Sequence, residues 1–234
     1  MRCSFFATVP KRSGDEHLNE DAAHWNPHRG IYAISDGASE SYNSARWSTI
    51  LVRRFVSEPS FDPKWLKGAV ASYAAGFDRE SMSWSAQAAY DRGSFATLTG
   101  VVISPSGARA FVLGFGDSIA VLADGDRLVY SFPYHRPDQF AQNPLLLSTN
   151  PERNASIHSR TPSTFERAWT LSRLRGPVIL SMTDALGGWL LSAPRERLGV
   201  LLALATRIQF SALVERERHA GRLRRDDTTL LVVR

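Results

Sequence analysis

The sequence predicts a layered α+β domain whose first and last strands share one sheet. Three observations carry this reading: β-rich runs at both ends, helical periodicity between them, and a central meander of strands joined by tight turns. With 234 residues, 43% of them hydrophobic, the chain has the size of one domain over 1–234 and can bury a sizeable core.

Ser4–Val9 reads as the first strand and Gly30–Ser35 as the second. Ala45, Trp47, Ile50, Leu51 and Phe55 repeat at helical spacing, so Ser44–Phe55 is expected to be an amphipathic helix. Pro63 suits a first helical position, and one helix is expected from there to about Tyr90. Phe95–Ser104, Arg109–Gly116, Ile119–Ala123 and Arg127–Phe132 are expected strands, punctuated by "PSGA" and "DGD" turns. The segment 133–164 has little periodicity and reads as a long irregular loop, a length usually kept for function. Pro177–Met182 is a short buried strand, Pro194–Leu213 a helix, and Thr228–Val233 the closing strand. The six tryptophans are expected to be core or half-buried packing.

A single cysteine, Cys3, excludes an internal disulfide framework and makes the cytoplasm the expected compartment. No apolar run reaches bilayer length, and "MRCSFFATVPKRSG" lacks a signal-peptide body, so no membrane association is expected. The formal charge of +5 rests mostly on arginine, which suits an anionic partner. No nucleic-acid-binding motif accompanies it, so nucleic acid is not an expected partner.

The chemistry lies in the acids. Asp36 follows "IYAIS", Asp117 follows "AFVLGFG", Asp184 follows "PVILSMT", and Asp226 and Asp227 precede "TTLLVV". A further cluster, "NED" at 19–21, precedes the strand that ends at Asp36. A carboxylate beside a buried strand is costly unless a cation pairs with it. Any one of these acids reads as a turn or helix cap; together they point to a hard, oxygen-preferring cation such as Mg²⁺ or Mn²⁺.

In their order, "NED … SDGAS … GSFATLTGVVI … GFGDS … SMTDAL … DDTTLLVV" resembles the metal-dependent protein phosphatases, the type 2C Ser/Thr family, in its divergent bacterial branch. The resemblance runs from about Lys11 to Val233. It implies a central antiparallel β-sandwich flanked by helices on both sides, four layers in all, with a two-metal centre at one end. It implies hydrolysis of phosphoserine and phosphothreonine in proteins by water activated between two Mn²⁺ or Mg²⁺ ions. Asp36 would bridge the ions, Gly37 would offer its carbonyl, and Asp21, Asp184 and Asp226 would be ligands. Glu20 would act directly or through water, and Asp117 would hold a third ion with Asp184. Asp36 and Asp184 are then the catalytic pair, acting through the activated water. Asn19 and Ser118 would orient neighbours, and "GSFATLTG" would place Ser94 and Thr97 beside the centre. The implied partners are a phosphorylated protein and an opposing Ser/Thr kinase.

The sequence departs from the pattern in three places. Glu16 stands where many members have a phosphate-gripping Arg, which leaves Lys11, Arg12 or His17 to supply that charge, with Arg46 as a further candidate. Ala38 replaces the His of certain members, so no general acid is assigned. The final motif reads Asp226-Asp227 rather than Asp-Asn, and family spacing favours Asp226 as the ligand. Glu16 and Ala38 support an alternative, a pseudophosphatase that binds a phosphoprotein without turnover. A metal-dependent hydrolase of small phosphate esters is a third reading, with 133–164 as its specificity element.

Overall fold

A computed structural model describes residues 1–12 and 14–234. The strands are β1 (Cys3–Val9), β2 (Ala22–Asn26), β3 (Ile31–Ser35), β4 (Phe95–Ala96), β5 (Leu98–Ile103), β6 (Arg109–Phe115), β7 (Ile119–Asp124), β8 (Arg127–Phe132), β9 (Leu147–Ser148), β10 (Glu166–Thr170), β11 (Pro177–Met182) and β12 (Thr228–Val233). The helices are α1 (Ser44–Ser57), α2 (Pro63–Ala74), α3 (Trp84–Arg92), α4 (Ala155–His158), α5 (Asp184–Ser192), α6 (Pro194–Leu202) and α7 (Arg207–His219).

Two five-stranded antiparallel sheets, ordered β1-β12-β11-β7-β8 and β10-β6-β5-β3-β2, form the centre. β12 pairs with β1 on one side and β11 on the other, so the first and last strands are neighbours. Alternation assigns the two faces of each strand. In β3, Tyr32 and Ile34 point into the inter-sheet core with Val112, Leu122, Ile179 and Leu231. Ile31 and Ala33 point outward and pack on α1 and α2 through Trp47, Leu51, Phe55 and Trp65. On the other sheet, Leu230, Val232, Leu180 and Met182 face α5, α6 and α7 through Leu186, Leu190, Leu198, Phe210 and Val214. The result is the expected four-layer α-β-β-α sandwich, and it explains why β3 and β12 are buried along their whole length.

Several boundaries differ from expectation for local reasons. The helix expected from Pro63 to Tyr90 is two helices. α2 starts where the Asp62 side chain accepts from Trp65 N at 2.7 Å and stops before Gly76. Asp78 then caps a 3₁₀ turn, and Ser83 caps α3. Pro194–Leu213 is likewise split, because Thr206 and Gln209 form a capping box that starts α7. Phe95–Ser104 is broken at Thr97, and the strand expected to reach Gly116 ends at Phe115, since Gly116 has φ +85. The segment 133–164 is not structureless: it holds three 3₁₀ turns, α4, and β9 paired with β4, and it buries Leu147 and Ile157. Trp84 is 85% exposed, against the expectation of packing, whereas Trp47, Trp65, Trp169 and Trp189 are core residues.

Candidate metal centre

Five acids sit at one end of the sandwich. The register places them there: Ala22 faces Ser35 across β2–β3, and Met182 faces both Ile119 and Leu230 across β11. Asp21 therefore precedes β2 where β3 ends at Asp36. Asp117 lies in the turn from β6 to β7, Asp184 opens α5 at the end of β11, and Asp226 lies just before β12. A cavity of about 150 Å³ is lined by Asp36, Gly37, Thr97, Asp117, Asp184 and Asp226, with Arg224 among them. A larger groove of about 550 Å³ over β5, β6 and β10 is mostly apolar, with Glu166 its one acidic lining residue, and is not where the carboxylates meet.

Burial and mutual repulsion dominate the electrostatics. Burial pushes the Asp36 carboxyl well above the usual range, and the charges of Asp21, Asp184, Asp117 and Asp226 add to it. Burial also raises Asp21, with Asp227 and Asp184 contributing, against hydrogen bonds from Thr229 and Thr183. Asp117 is pushed up to about 7 by burial and by Asp184. Asp184 is raised by burial while Arg224 opposes the shift.

Short polar side chains fix these acids. Asp21 Oδ2 accepts from Thr229 Oγ1 at 2.6 Å and Thr183 Oγ1 at 3.2 Å, and Asn19 Oδ1 accepts from Asp21 N at 2.9 Å. Asp36 N donates to Thr97 Oγ1 at 2.8 Å, and that hydroxyl meets Ser118 Oγ at 2.7 Å. Gly37 is held between two backbones: its N–H donates to Glu20 O at 3.2 Å, and a Cβ there would lie 2.9 Å from Glu20 O and from Ser44. Gly37→Ala is therefore expected to cost about 1–3 kcal/mol through overpacking, read as a lowered Tm in a thermal melt.

The other sequence candidates divide clearly. Asp226 lines the cavity, whereas Asp227 is buried and accepts from Lys11 N at 2.6 Å and Glu20 N at 2.7 Å. The Glu20 side chain takes Lys11 Nζ at 3.1 Å and a short bond from Ser44 Oγ, outside the cavity lining. Lys11 Nζ also donates to Ser39 Oγ at 2.8 Å, which puts it at the cavity rim. Arg12 and His17 are exposed, and neither bonds to a cavity residue among the described residues. Ser94 is buried away from the lining, where it meets Tyr73 Oη at 3.1 Å. Arg46 packs over the Phe77 ring, 5.3 Å from its centroid.

Do these residues suit a cation? The Asp21 Oδ1 atom is buried without a hydrogen-bond partner among the described residues, although Asp21 is ringed by acids. An acceptor left bare among carboxylates is the donor chemistry of a hard divalent ion. Among the described residues, no three acids, histidines or cysteines draw together into a closed ligand group. Arg224 stands between two of the acids: its Nη2 bonds Asp226 Oδ2 at 2.8 Å and makes a shorter bond to Asp184 Oδ2.

No family model matches the chain, and no curated protein matches it. Solved structures do. The serine/threonine phosphatase Stp1 from Staphylococcus aureus superposes with a TM-score of 0.64 at 14% identity, covering 99% of this chain and 96% of that one. The catalytic domain of the serine threonine protein phosphatase PstP, solved with two manganese ions, gives 0.61 at 17% identity over 97% and 96%. The PPM Ser-Thr phosphatase MsPP from Mycobacterium smegmatis, solved with cacodylate, gives 0.55 at 18% over 99% and 98%. The fold is that of the PPM-type Ser/Thr phosphatases. Within this PPM-type fold the sequence gives no sign of the roles of two arginines in the "ERERHAGRLRR" run at 215–225. Arg224 enters the cavity. Arg218, its side chain 2% exposed, donates to Pro10 O at 2.9 Å and Thr228 Oγ1 at 3.1 Å, with a shorter bond to Asp226 O. A basic run carries no signal that separates buried members from solvated ones.

Proposed function

We propose that the protein is a divalent-cation-dependent phosphatase that hydrolyses phosphoserine and phosphothreonine in proteins. The observation that carries this reading is the convergence of Asp36, Asp117, Asp184 and Asp226 on one cavity, with the bare Asp21 Oδ1 beside them. PstP, whose fold this chain shares, is a serine threonine protein phosphatase solved with two manganese ions. Asp21, Asp36, Asp184, Asp226 and the Gly37 carbonyl would hold a Mn²⁺ or Mg²⁺ pair, Glu20 would support them, and Asp117 with Asp184 would take a third ion. Bound there, the ions supply the positive charge that makes water a nucleophile at neutral pH and stabilises phosphoryl transfer. The chain does the rest. Thr229 and Thr183 orient Asp21, and the Thr97–Ser118 pair fixes the backbone at Asp36. Lys11 at the rim supplies a cation for the substrate phosphate where the family arginine is replaced by Glu16. Pro144 and Leu146 bring the segment 133–164 to the cavity, where it would select among substrates. An opposing Ser/Thr kinase would supply the phosphorylated partner.

The test is direct. Protein in excess Mn²⁺ is expected to hydrolyse p-nitrophenyl phosphate and phosphoserine or phosphothreonine peptides, with chelation abolishing both rates. Small-ester turnover without peptide turnover would favour a small-molecule hydrolase. A second reading, the pseudophosphatase, is supported by the open spacing of the acids and by Arg224 between two of them. Inactivity on every phosphate ester in a protein that binds phosphopeptide would establish that reading instead.

A further inference from the structure

We propose that Arg224 is a tethered cation that holds the Asp184–Asp226 side of the centre and yields it to an incoming divalent ion, an inference that rests on the metal-dependent reading above. Arg224 lies in the segment between α7 and β12. One nitrogen, Nη2, serves both carboxylates, reaching Asp226 Oδ2 at 2.8 Å and Asp184 Oδ2 more closely. Its positive charge thus occupies the gap between two proposed ligands, and bond formation there satisfies the oxygens a metal would need.

The surroundings make this contact reversible. Leu223, the preceding residue, is 3% exposed, and the next strand starts at Thr228, so the backbone is anchored on both sides. Arg218 reinforces the anchor by bonding Asp226 O and Thr228 Oγ1. The Arg224 side chain itself is 55% exposed, so it can rotate into water without dismantling the fold. A guanidinium carries one charge and cannot place several oxygens around a point, whereas a small divalent ion does both. Arg224 therefore bridges the two acids and partly neutralises them when no ion is bound, and it competes with the ion for the same oxygens. As a positioning residue it sets how tightly the centre takes metal rather than taking part in bond cleavage.

Calorimetric titration of the full chain with Mn²⁺ alone tests this, with Arg224→Gln and Arg224→Lys beside the wild type. Removing the competitor is expected to tighten the Mn²⁺ dissociation constant about tenfold or more in Arg224→Gln. The same variant should melt lower without metal and gain more from Mn²⁺ than the wild type does. Arg224→Lys retains a charge and is expected to stay within about threefold of wild type, which keeps the comparison open should the glutamine variant fold poorly. Equal or weaker Mn²⁺ binding by Arg224→Gln, with wild type binding normally, overturns the inference alone and leaves the metal centre standing. No Mn²⁺ binding by any form overturns the metal-dependent reading and this inference with it. Binding by the variant but not by the wild type supports it in its strongest form.

Discussion

Replacement of Asp36 by Asn is expected to abolish Mn²⁺-dependent hydrolysis while raising the melting temperature of the metal-free protein at neutral pH. The loss of rate follows from the place of Asp36 among the other four acids, where it is the proposed bridge between ions. Several kcal/mol of charge stabilisation depend on such a ligand, which corresponds to a fall of about 10³-fold or more in rate. The gain in stability follows from repulsion. Burial and four neighbouring carboxylates raise the Asp36 carboxyl well above 3.8, so the folded chain holds that proton more tightly than the unfolded chain. Stability therefore falls as pH rises from the unfolded value through the folded one. Asp117 behaves alike, and its folded value of about 7 against 3.8 marks the window. Melting curves of metal-free protein across that window should slope downward with pH, and Asp36→Asn should flatten the slope. A variant no more stable than wild type at pH near 7 would show that Asp36 carries no unfavourable charge there.

The second large effect is structural. Arg218→Met is expected to cost about 3 kcal/mol, because it strips buried donors from the carbonyls of Pro10 and Asp226 and from Thr228 Oγ1 while leaving the aliphatic volume in place. Glu215, its other partner, is 53% exposed and is solvated when left alone. In a chain of 234 residues that cost corresponds to a fall of about 6–12 °C in Tm. Mn²⁺ affinity should weaken as well, since Arg218 pins the backbone carrying Asp226. Unchanged Mn²⁺ affinity in a destabilised Arg218→Met protein would confine its role to stability.

The layering was legible because the strands that build it carry a strong pattern. β3, β7, β11 and β12 are mostly apolar runs, and each proposed ligand lies within two residues of a strand, where a carboxylate is conspicuous. The edges of the sheet that holds β3 were not legible. β2 is half-buried and β10 mostly exposed, "ERAWT" lacks alternation, and their pairing is set by the neighbours β3 and β6 rather than by their own composition. α5, "DALGGWLLS", is apolar nearly all round and contains two glycines, so periodicity gives it no face to present. The role of Asp227 was hidden because two adjacent acids read alike until backbone amides from Lys11 and Glu20 claim one of them. Arg224 was hidden for the converse reason: only the tertiary fold brings it to Asp184, 40 residues away.

The adjacency of β1 and β12 has a consequence for how the molecule comes into being. β12 supplies the hydrogen-bonding partner for β1 and for β11, so the sheet is interrupted until residues 228–233 are in place. The acids on the cavity are drawn from Asp36 to Asp226, and Asp21 is steadied by Thr229, 208 positions away. Contacts that distant in sequence form late and slowly, since a long loop must close before they are rewarded. An unfinished chain thus carries neither a continuous first sheet nor a cation site, and the acids meet only after synthesis has passed β12. Assembly of the centre and completion of the fold are one event.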